Sequence, residues 1–249
     1  MKLPSYVVWP ALFTLAFFVG WEIICRAFRI PPSFLPPPSA VFEAMWAFRV
    51  TIAENALVTL WTTLGGFALA VVFGLLLGAV VGASRPIYEA LYPLMIGFNS
   101  IPKVAIVPVL ILWFGVGAVP ALLTAFLISF FPIVVNVATG LATTEPELRD
   151  VLRALGASRM EIIRKVGLPR SMPYFFSSLK VAITLAFVGS VMAESVGSNS
   201  GVGHLMLSAQ ASFQVPLVFA GLLALAVLGI VLYAMTAIAE KRFTHWAYR

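Results

Sequence analysis

An all-α membrane protein of six transmembrane helices is what this sequence predicts, and three observations carry the expectation. The 249 residues are 61% hydrophobic and only 10% charged, with a mean hydropathy of +1.01, whereas a soluble domain carries about 25% charged residues. The apolar residues gather in six runs, at about 7–27, 55–83, 90–114, 119–141, 174–196 and 215–238. Each is long enough to cross roughly 30 Å of hydrocarbon, which takes about 20 residues. None alternates with the period of two that a membrane β-barrel requires, so helices, which satisfy their own backbone groups, are the remaining solution. The whole chain, 1–249, reads as one membrane domain.

Charge and cysteine content exclude several classes. The net charge of +6 and pI near 9.8 would suit nucleic acid, but the basic residues cluster in loops rather than among exposed aromatics. That is the pattern of the positive-inside rule, and no nucleic-acid partner is expected. A single cysteine, Cys25, rules out an intrachain disulfide, and its apolar surroundings predict a buried, inert thiol. His204 and His245 lie far apart and no ligand spacing surrounds them, so no metal site is expected.

The first run follows Lys2 and resembles a signal peptide superficially. It is too long, however, and Trp21–Arg26 offers no small-residue cleavage site, so it is read as a retained span. Glu22 and Arg26, four residues apart near its far end, are placed to pair. The proline-rich Ile30–Ser39 segment cannot be helical. Ser39 then opens a short amphipathic helix to about Arg49, with Val41, Met45 and Trp46 on one side, expected at the membrane interface. Gly74, Gly78 and Gly82 put three small residues on one face of the second span, which permits close helix packing. The third span is interrupted by Pro93, Pro102 and Pro108, with Asn99, Ser100 and Lys103 near its middle. Two readings stand there: a broken helix lining a solute path, or a kinked structural helix whose Lys103 snorkels. Gly115–Pro120 is a turn into the fourth span. Lys180 sits early in the fifth span, within snorkelling reach of the cytoplasmic surface. Glu194 and Ser195 sit late in it, followed by the glycine-rich Gly197–Gly203. That break either closes the outer mouth of a path or is a flexible outer loop.

The only long polar stretch is 143–173. Thr144 with Glu147, and Ser158 with Glu161, form two capping boxes in succession. Gly156 falls where the first helix would end in a left-handed residue, and Gly167-Leu168-Pro169 is expected to stop the second. Leu148, Val151, Leu152 and Leu155 form an apolar stripe, with Arg149 and Arg153 on a neighbouring face. This helix–turn–helix either lies on lipid headgroups through its six basic residues or fits its stripe into a groove on a soluble partner.

Asp150-Val151-Leu152, three residues, Gly156, nine residues and Val166-Gly167-Leu168-Pro169 resemble the signature loop of bacterial ABC importer permeases. That pattern is Glu-Ala-Ala, three residues, Gly, nine residues, Ile-x-Leu-Pro. The departures, and the stretches Phe34–Ser39 and Ile101–Pro108 running on to Trp113-Phe114-Gly115, are similar to the nitrate/sulfonate/taurine-type branch. The resemblance spans roughly residues 30–240. It implies a type I importer permease fold in which 143–173 is the cytoplasmic coupling helix docked on an ATP-hydrolysing subunit. Arg149, Asp150, Leu152, Arg153, Leu155, Gly156, Ala157 and Ser158 are then the docking residues. Asn99, Pro102, Lys103, Glu194 and Ser195 are the candidates for the path or gate; similar permeases carry an acidic residue and a glycine turn at the Glu194 position. The resemblance further implies a second permease copy, an ATPase dimer and a periplasmic or extracellular solute-binding protein, with lipid around the spans. ATP and Mg would be used by the partner ATPase, with no cofactor bound by this chain.

The chain has no GxxxxGK[S/T] loop to hold a nucleotide, and neither a nucleophile–base pair, paired aspartates nor an HExxH helix for intramembrane catalysis. It is not expected to be an enzyme. The coupling loop, Lys2 and the Lys241–Arg242 tail fall on one side of a six-span layout, which predicts both termini in the cytoplasm and a multi-pass location in the bacterial inner membrane. Arg26, Arg29 and Arg49 fall outside, offset by Glu22, Glu43 and Glu54. Lys103 points to a small anion such as a sulfonate or nitrate as solute. Two alternatives stay open: the coupling subunit of a vitamin importer with a membrane-embedded binding component, and a stand-alone secondary carrier.

Overall fold

The computed structural model describes residues 5–83, 85–142, 151–152 and 154–244. Every regular element among them is helical, as expected. Five helices are long and apolar enough to cross a membrane, and a bent pair makes a sixth crossing when counted as one span.

The core is a sandwich of three long helices. Helix α3 (Arg49–Ala83) packs along α6 (Ala118–Ala142), and α6 packs along α8 (Leu168–Gly197). Close approach depends on the glycines of α3. A side chain at Gly66 would strike the Leu122 carbonyl and Ala125, at Gly74 Ile133, at Gly78 Val137, and at Gly82 Ala138. Overpacking of this kind costs about 1–3 kcal/mol. Ala70, Ile133, Val137, Leu141, Phe176, Leu179 and Ala182 fill the space between the three helices. In lipid, where the surrounding medium is as apolar as the core, this fit is a main source of helix association.

Helix α1 (Ser5–Ala27) lies at the periphery. Its Glu22 binds Arg26 at 2.6 Å and also receives the Ser39 amide at 3.0 Å and the Ser39 hydroxyl at 2.9 Å. Ser39 belongs to the first turn of α2 (Pro38–Ala47), whose N-cap, Pro37, has no side chain that can cap. Glu22 therefore supplies from another helix the acceptor that the α2 N-terminus lacks. One feature of α2 differs from the sequence expectation. Val41 and Met45 turn inward against Ile52, Leu205 and Leu217, whereas Trp46 points out, 72% exposed, with the Arg49 guanidinium 4.8 Å above its ring. Cation–π stacking holds the indole outside the cluster.

The irregular third span is two helices. Helix α4 (Arg85–Ser100) keeps Pro93 inside it, and the chain then breaks at Ile101–Pro102. A 3₁₀ turn (Lys103–Ile106) leads into α5 (Val107–Phe114), bent by 74° from the preceding segment. Pro108 sits in the first turn of α5, where a missing N–H costs nothing. Gly115 and Gly117, at φ +78° and +147°, make the turn into α6.

Two expectations near α8 are corrected. Gly167-Leu168-Pro169 does not stop the helix. The short α7 (Arg159–Ile162) runs through a π turn (Ile163–Gly167) directly into α8, and 168–173 is helical rather than loop. A proline ring clashes with the carbonyl four residues back in a regular α-helix; the wider π turn ahead of Pro169 relieves that clash. Lys180 does not simply snorkel but pairs with Glu240 of α10 (Val215–Thr244) at 2.6 Å. Between α8 and α10 lies the short α9 (Val202–Ala211).

Candidate functional site

Three clusters carry the polar chemistry. The first is the elbow that precedes α7. The Leu155 amide donates to the Val151 carbonyl and the Ala157 amide to that of Leu152, across Gly156 at φ +83°. Gly156 is where the chain must turn left-handed, and a residue with a Cβ is strained there. Ser158 and Glu161 then form the capping box. The Ser158 amide and hydroxyl donate to Glu161 Oε2 at 2.9 and 2.8 Å, and the Glu161 amide donates to Ser158 Oγ at 3.3 Å. Those bonds, with the Lys165 ammonium nearby, hold the Glu161 carboxyl below its ordinary value. Leu155 is 78% and Val151 56% exposed. A shallow groove beside them is lined by Leu152, Gly156, Ala157, Ile162 and Val166. Arg149, Asp150 and Arg153 lie outside the described residues, as do Thr144, Glu147 and Leu148.

The second cluster is the break between α4 and α5. Lys103 Nζ donates to the Asn99 carbonyl and, at 2.7 Å, to Asn99 Oδ1. It thus places a cation on the C-terminal carbonyls of α4, where the helix dipole favours one. Asn99 and Pro102 are exposed and Lys103 half-buried, so the break presents an ammonium and an amide side by side.

The third cluster surrounds Glu194, only 1% exposed in the last turn of α8. Its Oε2 accepts from Thr59 Oγ1 at 2.8 Å and from the Gly203 amide at 3.1 Å. The Thr62 and Ser190 hydroxyls lie 3.3 and 3.4 Å from its Oε1 and 2.6 Å from each other, so that one donates to the carboxylate and the other to its neighbour. Thr59 Oγ1 receives the Val202 amide at 2.9 Å, and Asn55 Oδ1 receives that of Gly201 at 2.8 Å. Three consecutive amides at the start of α9 are therefore received by side chains of α3 and α8. Helix α9 needs this, because its N-cap is Gly201, at φ +102°, with no side chain of its own. A Cβ on Gly201 would run into the Glu194 carboxylate, and one on Gly203 into the Val191 carbonyl and Ser195 hydroxyl.

In this conformation Glu194 is enclosed by protein, and Ser195 donates to the Val191 carbonyl at 2.9 Å. Asn99, Pro102 and Lys103 stand together at the break; Glu194 and Ser195 stand apart from them on α8. Helix α5 lies between the groups. Val107 packs with Ala193 and Ala121, Ile111 abuts Gly197, and the Gly117 amide reaches the Gly197 carbonyl at 3.4 Å. Sequence reasoning missed Asn55, Thr59, Thr62 and Ser190. For the first three the signal was present as a polar stripe at 55, 59 and 62, helical spacing inside an otherwise apolar run.

Residues 70–245 match the family described as binding-protein-dependent transport system inner membrane component. The chain belongs to that family. It is an ABC importer permease, the transport subunit that sits in the membrane. Relatives include the riboflavin transport system permease protein RibX of Chloroflexus aurantiacus, 32% identical over 96% of this chain and 91% of that one. The formylaminopyrimidine transport permease protein ThiX of Halalkalibacterium halodurans is 30% identical over 99% and 98%. The taurine transport system permease protein TauC of Escherichia coli is 25% identical over 91% and 85%, which is the branch that the sequence resembles. Among solved structures, the inward-facing MetNI methionine ABC transporter contains a chain that matches with a TM-score of 0.70, covering 80% of this permease and 98% of that chain. At 20% identity the match establishes the shared type I importer fold.

Proposed function

We propose that this permease works as one of two identical copies, driven from the cytoplasm by a pair of ATPase subunits that grip the elbow around Gly156. The observation that carries the reading is the exposure of Leu155 and Val151, 78% and 56%, on a short capped elbow. The elbow stands outside the span-length helices, so its apolar tip asks for a cover other than the acyl chains around them. A protein groove that takes two or three apolar anchors from a helix meets that need. Arg149 to Ser158 form the docking surface, and the ATP and Mg belong to the partner. Both termini lie on the elbow side, in the cytoplasm of a bacterial cell, and a solute-binding protein delivers cargo to the opposite face.

Continuity of α7, the π turn and α8 supplies the mechanical link. When the ATPase pair closes, the two elbows move together, and each displaces an unbroken rod reaching to Gly197. The paired bundles then rock about a path near the broken span, alternating access between the two faces. Lys103 and Asn99 line that path, and Glu194 and Ser195 stand at its outer gate. The relatives carry riboflavin, formylaminopyrimidine and taurine in their names at similar identities, so solute choice rests mainly with the binding protein. The Lys103–Asn99 pair at the break favours a small anion, a sulfonate or nitrate.

Co-purification tests the docking. Tagged permease expressed with the ATPase encoded beside it should capture that subunit, and Gly156→Val, which strains the left-handed turn, should reduce capture by about tenfold. Undiminished capture by Gly156→Val and by a deletion of 145–167 would remove the elbow from the mechanism.

A further inference from the structure

The outer end of α8 is built as a clamp. The Glu194 carboxylate binds α3 through Thr59 and Thr62 and binds the start of α9 through the Gly203 amide. Thr59 bridges the same elements a second time by accepting the Val202 amide, and Asn55 adds a third bond through Gly201. The hydroxyls and amide that reach the carboxylate are all able to donate to it. Burying such a group away from water is tolerable only while those partners stay in place. The other end of the same continuous helix begins at the Ser158 cap, beside the elbow.

We propose that Glu194, Thr59 and Asn55 are positioning residues forming the clamp through which α8 passes elbow movement to α9 and α3. The function of the clamp is transmission: α8 holds α9 through the Gly203 amide and α3 through Thr59 and Thr62, so a displacement of α8 must carry those elements with it or leave buried groups unpaired. The inference rests on the elbow being the driven site.

The test uses the permease–ATPase complex in lipid nanodiscs, in a Cys25→Ser background with Gln210→Cys on the exposed side of α9. The probe is the rate of maleimide labelling, without nucleotide and after trapping with ATP and vanadate. Wild type and Thr59→Ser, which keeps the hydroxyl, should change rate on trapping by about fivefold or more, the lower end of ordinary coupling between sites. Thr59→Val should still bind the ATPase and hydrolyse ATP while that change disappears. A nucleotide-dependent change that survives in Thr59→Val, or one absent from wild type bound to its ATPase, overturns the proposal. Hydrogen exchange of the permease alone adds a measurement independent of the ATPase. The amides of Gly201, Val202 and Gly203 should exchange faster in Thr59→Val than in Thr59→Ser, and equal rates would also overturn the clamp. Failure of wild type to bind any ATPase would instead contradict the docking of the elbow.

Discussion

Lys103 combines a helix-capping bond with partial exposure at the break. Its ammonium caps α4 through the Asn99 carbonyl while remaining half-exposed at the break. Removing the charge deletes bonds within a single turn, so assembly should survive. A hydrogen bond to a charged group contributes about 1.5–3 kcal/mol, so Lys103→Met should lower uptake of whichever solute wild type carries, from an alkyl sulfonate, the sulfonate zwitterion taurine and nitrate, by roughly tenfold or more. Undiminished uptake would leave Lys103 as a helix cap only. The sequence marked Lys103 and Glu194 as residues out of place in apolar runs, and both occupy special positions. What it could not supply were their partners. Thr59 and Thr62 precede Glu194 by more than 130 residues, and which turn of α3 faces which turn of α8 is decided by glycine and alanine packing along α6. Polar residues within a span announce a bond without naming its other end.

At the scale of elements, the capping box of Ser158 and Glu161 was legible because it is local: four residues contain donor, acceptor and spacing. It also responds to pH. The Glu161 carboxyl is held below its ordinary value of 4.5, first by the Ser158 amide, then by the Ser158 hydroxyl and Lys165. A depressed carboxyl stabilises its cap fully above pH 4.5 and loses that contribution as pH falls through the lowered value. The amides of Ser158 and Glu161 should therefore be protected at neutral pH and lose protection in acid, relative to the intrinsic rate, as followed by hydrogen exchange. In Glu161→Gln that acid-dependent loss should vanish. The Gly167–Pro169 stop failed for a reason equally physical. Proline ends a helix only where the preceding turn has α geometry, and a π turn is one residue wider. That widening depends on how α7 meets the bundle, which no window of sequence reports. The three prolines of the third span do not act alike: Pro102 lies at the break and Pro108 in the first turn of α5 beyond it, whereas Pro93 remains inside α4.

Over the whole molecule, composition was enough for class, and the spaced loop was enough for family. The bend of 74° in the third span and the borrowed caps of α2 and α9 belong to tertiary structure. In both caps a glutamate on one helix completes the N-terminus of another, Glu22 for α2 and Glu194 for α9. Short helices too weak to stand alone are thus tied to long ones. In the docking proposed above, the elbow is the point at which an outside force would enter. Placing a single cysteine there by Leu155→Cys, with Cys25→Ser, reads both its side and its neighbour in one experiment. In cells containing the ATPase, the account predicts a bismaleimide adduct with the mass of permease plus ATPase, and no labelling by an impermeant maleimide added outside. Labelling from outside, with no such adduct, would contradict it.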